Sequence, residues 1–170
     1  MRRPSITLVA GLLAGLLVGA IVPAAFASLH GTASGGDCAR SQLDVRPNGS
    51  QGAAGTIRGA WVFTNRSKSA CTLDGYPDWQ LFRKGGRPFA TTTKKNLAPA
   101  PAHVTLTPGD SGTFFSQYSD VPSGTKRCRI SRVAEITAPS AGAGLFIPAA
   151  LEACGGVIHV SGVEAGVHGP

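Results

Sequence analysis

Beyond residue 27 the chain contains no segment with a helical hydrophobic period, and that pattern restricts the fold to one built of strands. Its apolar segments are short, lean toward alternation, and are punctuated about every ten residues by Gly, Pro, Asn and Asp, the pattern of antiparallel strands and their turns. Ile57, Gly59, Trp61 and Phe63 point one way along a predicted central strand, with Arg58, Ala60, Val62 and Thr64 on the other face. Asn65 to Ser69 turns the chain. Residues 79–83, 103–107, 113–118, 129–137 and 157–163 read as further strands; Phe114 and Phe115 fall on opposite faces, and the 129–137 segment alternates through Ile130, Ala134 and Ile136. Lys84-Gly85-Gly86-Arg87 is a polar hairpin, and Ala98-Pro99-Ala100-Pro101 an extended, exposed connection. Seven or eight short strands without crossover helices predict an all-β, immunoglobulin-like antiparallel β-sandwich with two disulfides. The likeness is one of architecture, because Trp61 and the cysteines lack the spacing of an antibody domain.

Residues 1–27 read as a cleaved signal peptide. Arg2 and Arg3 form its basic start, residues 6–22 its apolar run, and Ala25-Phe26-Ala27 its small-x-small cleavage site. An uncleaved N-terminal membrane anchor is the alternative reading, although the run is short for a span of about 20 apolar residues. Gly35-Gly36-Asp37 before Cys38 is no lipobox, so no lipid attachment is expected. Removing 27 of the 170 residues leaves 143, one domain's worth. Residues 28–37 are expected to be a flexible linker, 38–163 the β-sandwich domain, and 164–170 a disordered tail.

All four cysteines, Cys38, Cys71, Cys128 and Cys154, follow the leader, and an even count in an exported chain predicts two disulfides. Three connectivities are open. The sequential pairs are favoured, although chain entropy cannot choose between them. No two cysteines stand at zinc-knuckle spacing, so no metal site is expected.

Gly109-Asp110-Ser111-Gly112 resembles a serine-protease nucleophile segment, but His103 lies only eight residues upstream and no His-bearing motif accompanies it. It reads as a turn. His30, His103, His159 and His168 show no convergent spacing, and Asp74, Asp78, Asp110 and Asp120 sit where an Asp caps a turn. Asn48-Gly49-Ser50 and Asn65-Arg66-Ser67 match the glycosylation sequon and also read as turns. No catalytic residue and no cofactor follow from these patterns.

Two of the sixteen basic residues, Arg2 and Arg3, lie in the leader. Fourteen remain against nine acids, a net charge of +5 for the exported part. Arg83, Lys84 and Arg87, then Lys94 and Lys95, then Lys126, Arg127, Arg129 and Arg132 cluster along the chain. On one face they would form a basic surface for an anionic envelope polymer or membrane; the alternative is a scattered solvated exterior. Nucleic acid is not an expected partner of an exported domain without interleaved exposed aromatics.

Several landmarks together resemble the actinobacterial secreted family known as domain of unknown function 4232. They are Cys38, Gly52-Ala53-Ala54-Gly55, Phe63-Thr64-Asn65, Cys71-Thr72-Leu73-Asp74-Gly75-Tyr76-Pro77, Leu106-Thr107-Pro108-Gly109, and the late Cys128 and Cys154. The Cys71-to-Pro77 stretch is the most specific, and the resemblance spans nearly all of the exported part. It implies an exported or lipid-anchored envelope domain with a β-sandwich fold and no established activity. The missing lipobox departs from lipoprotein members and favours a soluble or wall-associated product.

The expected function is therefore that of an exported, non-catalytic cell-envelope binding or structural module. Its partner would be an anionic polymer, a membrane surface or another secreted protein. A secreted protease inhibitor displaying the loop at residues 99–103 is the second expectation, and an uncharacterised hydrolase the third.

Overall fold

The computed structural model describes residues 35–124 and 128–170. The expected signal peptide, most of the linker, His30, Lys126 and Arg127 lie outside them. The described residues are nearly all β: β1 (Leu43–Ala53), β2 (Thr56–Asn65), β3 (Cys71–Leu73), β4 (Asp78–Phe82), β5 (Thr92–Leu97), β6 (Val104–Leu106), β7 (Ser111–Ser119), β8 (Val133–Thr137), β9 (Leu145–Pro148), β10 (Val157–Ser161) and β11 (Glu164–Ala165). The large sheet runs β1-β2-β7-β10-β5, with β11 beside β7; the small sheets are β3-β6 and β4-β8-β9.

One core joins all three sheets. Along β2 the alternation sends Trp61 and Phe63 inward, where they meet Phe114 of β7, Ile158 and Val160 of β10, Leu73 and Leu106 of the two-stranded sheet, and Trp79, Leu81 and Ile136 of the three-stranded one. Trp61 meets Trp79 edge-on at 4.9 Å, and Phe63 stacks on Phe114 at 5.1 Å. Such pairs add about 0.5–1.5 kcal/mol each beyond their burial. The cysteines pair sequentially, Cys38 with Cys71 and Cys128 with Cys154. The first bond fixes the start of the domain to β3, where Asp37 bridges Thr72 and the Thr72 amide donates to the Gly36 carbonyl. The last residues of the expected linker are thus part of the fold.

Four features depart from the sequence expectation. Eleven strands replace seven or eight, because β1 carries Pro47, Asn48 and Gly49 within a bulge, and because β5, β9 and β11 are polar or very short. The β5–β10 pair is parallel. The third is the C-terminus. Residues 164–170 do not form a disordered tail: Glu164 and Ala165 pair with Thr113 and Gly112, Thr113 Oγ1 donates to the Gly166 carbonyl at 2.7 Å, and Asn48 Nδ2 donates to the His168 carbonyl at 2.8 Å. This strap crosses the outward face of the large sheet from β7 to β1. It accounts for the burial of Ala60, Val62 and Thr113, which point away from the core. Gly112 pairs with Ala165 and faces the core, where a Cβ would lie 2.8 Å from Val163 Cγ1. Ile130 also departs from its expected alternation, being exposed ahead of β8 while Ala134 and Ile136 are buried.

Truncation after Val163 should lower stability by about 2 kcal/mol, the worth of a few hydrogen bonds and the cover over Val62. Urea unfolding of the truncated and full chains tests this; an unchanged midpoint would show that the strap carries no weight.

Candidate functional site

Four of the sequence-predicted basic residues meet at one end of the β4-β8-β9 sheet. The β4–β8 ladder ends at Phe82 opposite Val133, so Arg83 and Arg132 are the next residues out on the two strands. The Arg132 amide donates to the Phe82 carbonyl at 2.8 Å, and the Arg83 amide to the Arg87 carbonyl at 2.9 Å, closing the hairpin that carries Lys84. Gly85 and Gly86 make that turn with φ of 88° and 77°, a region open to glycine. The Arg83 guanidinium sits over the Phe89 ring, 5.1 Å from its centroid. All four basic side chains are exposed, and none forms an ion pair among the described residues. Like charges on adjacent strand ends are unfavourable unless something anionic joins them. Beside them Phe82 packs against Phe146, which is 56% exposed.

The remaining basic residues do not join this group. Lys95 is drawn to Asp78 at the opposite end of β4, with 3.4 Å between Nζ and Oδ2. Lys94, one residue earlier, falls on the other face of β5, level with His159 of β10. Arg129 is exposed in the segment after Cys128.

The protease-like segment is a turn. Asp110 Oδ2 accepts from the Thr107 amide at 3.0 Å and from the Thr107 hydroxyl at 2.6 Å, while Gly109 takes a φ of 89°. Ser111 Oγ is bonded to Thr64 Oγ1, and His103 faces Asp74 at 3.5 Å instead of the serine. His159 bonds Asn96, and His168 bonds the Ala165 carbonyl. No group of three or more His, Cys, Asp or Glu that could hold a metal occurs among the described residues. Asn65 organises its own turn: Oδ1 accepts from the Ser67 amide, and Nδ2 donates to the Ser69 and Leu106 carbonyls. Asn48 lies in the β1 bulge.

Sequence reasoning did not find the cavity of about 310 Å³ beside that bulge, walled by Pro47, Ile57, Trp61, Tyr118, Pro148 and Leu151. Its signal was Gly59, a glycine inside a central strand, which often marks a close approach or a space above a sheet. A Cβ at Gly59 would stand 3.2 Å from Trp61 Nε1 and 3.4 Å from Ser116 Oγ, two atoms already joined by a 2.8 Å hydrogen bond. Tyr118 is the one titratable lining residue. The cavity therefore offers no nucleophile with a base, and no acid–base pair, but it does offer space for an uncharged group.

Burial, then the negative charges of Asp120 and Glu152, hold the Tyr118 phenol above its ordinary value of 10.0. The fold thus favours the neutral phenol. Its contribution to stability is complete below the ordinary value and is lost as pH rises through the raised one. Urea unfolding above pH of about 10 should show a steeper alkaline loss in the wild type than in Tyr118→Phe; identical profiles would refute the shift.

No helix among the described residues is long and apolar enough to cross a membrane. No curated protein and no solved structure matches the chain. A family model does match, over residues 38–166, from the first cysteine to the start of the strap. That stretch takes in the whole disulfide-stapled domain just described, so the chain belongs to the family described as Domain of unknown function (DUF4232).

Proposed function

We propose that this protein is an exported, non-catalytic module that binds an anionic polymer of the cell envelope through the end of its three-stranded sheet. The observation that carries this reading is the convergence of Arg83, Lys84, Arg87 and Arg132, all exposed and without carboxylate partners among the described residues. Three arginines among the four suit phosphate or carboxylate groups, because a guanidinium presents a planar fork of donors. Export is supported by the signal-peptide pattern of residues 1–27 and by two disulfides, which persist in oxidising compartments. The non-catalytic reading is supported by the separation of Ser111 from His103 and by a cavity without acid–base machinery.

Co-sedimentation of the domain from residue 28 onward with isolated bacterial envelopes is the test. Pelleting should fade as salt rises from about 50 to 200 mM, the range over which screening shortens to within roughly a nanometre. A variant carrying Gln at Arg83, Lys84, Arg87 and Arg132 should lose most of it. Pelleting that resists salt or survives the fourfold variant would overturn the reading, and binding to anionic liposomes in place of envelope polymer would move the partner to the membrane.

A further inference from the structure

The large sheet carries a second cationic feature on its outward face, formed by residues far apart in sequence. Its register places Arg58 of β2 beside Gln117 of β7, Gln117 beside His159 of β10, and His159 beside Lys94 of β5. These four side chains alternate with the core residues Ile57, Tyr118, Ile158 and Val160, so they stand in one line on the outward face. At the usual strand separation of about 4.8 Å, the line is roughly 14 Å long. No position in it holds a carboxylate. On the same face Asp44 is taken by Arg46 and Arg66, at 2.8 and 3.3 Å. Those hydrogen bonds outweigh the effect of burial and hold its carboxyl below the ordinary range.

Arg58 is held in a fixed pose. Its guanidinium lies 4.6 Å from the centroid of the Phe115 ring, and its Nε is buried without a hydrogen-bond partner among the described residues. His159 is oriented by the 2.8 Å bond from Nδ1 to Asn96, which leaves Nε2 for another group. Gln51, level with Arg58 on β1, is engaged by the Pro170 carbonyl, so the strap closes the line at that end. Lys94 at the other end is exposed. A row of donors across neighbouring strands, with positive charge at both ends and none negative between, complements an extended chain bearing repeated anionic groups.

We infer that the Arg58-Gln117-His159-Lys94 row is a second binding track, which a linear polyanion crosses perpendicular to the strands. The inference deepens the polyanion-binding reading above and rests on it for the class of partner, but it assigns a different face.

Long-chain inorganic polyphosphate is the probe, with affinity measured at low salt for four forms of the domain. These are the wild type, Arg58→Gln with Lys94→Gln, the fourfold Gln variant at the hairpin end, and the six changes combined. The row variant should bind about tenfold more weakly, as expected for the loss of two charge contacts, one at half-buried Arg58 and one at exposed Lys94, and the combined variant should not bind. Arg58→Lys, which keeps the charge, should recover part of the loss, and near-ultraviolet circular dichroism should match the wild type throughout. If the row variant binds as the wild type does while the hairpin variant fails, the track is refuted and the hairpin reading stands. If the reverse holds, the track stands and the hairpin site falls. Wild-type affinity in all variants, or no binding by the wild type, would overturn both.

Discussion

Trp61 is where the layers of this domain are joined. It projects from β2, an interior strand of the large sheet, meets Trp79 of the three-stranded sheet edge-on, and is almost fully buried. An indole in that position must place its N–H somewhere, and Ser116 on the neighbouring strand accepts it. Serine is tolerated inside the core for that reason. The pair in turn limits what can stand at Gly59, and the space above that glycine becomes the cavity beside the β1 bulge. One aromatic contact between sheets thus sets a buried hydrogen bond, a glycine and a pocket.

The strands that face this contact were readable because their residues obey a simple rule. β4 buries alternate residues, β2 and β7 are buried on both faces at their centres with Trp61, Phe63 and Phe114 turned to the core, and their turns carry glycines at positive φ, as at Gly85, Gly86 and Gly109. β1 was not readable, because Pro47, Asn48 and Gly49 announce a turn and the fold absorbs them as a bulge at a sheet edge, where proline removes no needed donor. β5, with the sequence Thr92-Thr93-Lys94-Lys95-Asn96-Leu97, has no apolar face of its own and exists through pairing with β10. The strap failed for a related reason. Its order comes from backbone groups and from Thr113, Asn48 and Gln51, which hold it from elsewhere in the chain.

The candidate site divides along the same line. The hairpin cluster was half visible, since Arg83, Lys84 and Arg87 are near neighbours in sequence; Arg132 joins only because β8 returns beside β4. Lys94 and Lys95 look like one cluster in sequence, yet alternation along a strand sends them to opposite faces, where one meets Asp78 and the other lines up with His159. The outward row was invisible, because its members come from four strands and are joined only by register.

Both cationic features lie on the exterior of a scaffold stapled by two disulfides and strapped across one face, whereas the cavity has no charged lining. That division follows from electrostatics. A charge in the cavity would have to be desolvated against Trp61, Ile57 and Leu151, and nothing there could compensate it. Arginine and lysine at strand ends and on an outward face keep their water until a partner replaces it. The rigid sheets then hold their backbones in place, so the freedom lost on binding is confined to the arginine and lysine side chains. A domain arranged in this way presents charge on its exterior while its core and its cavity stay neutral.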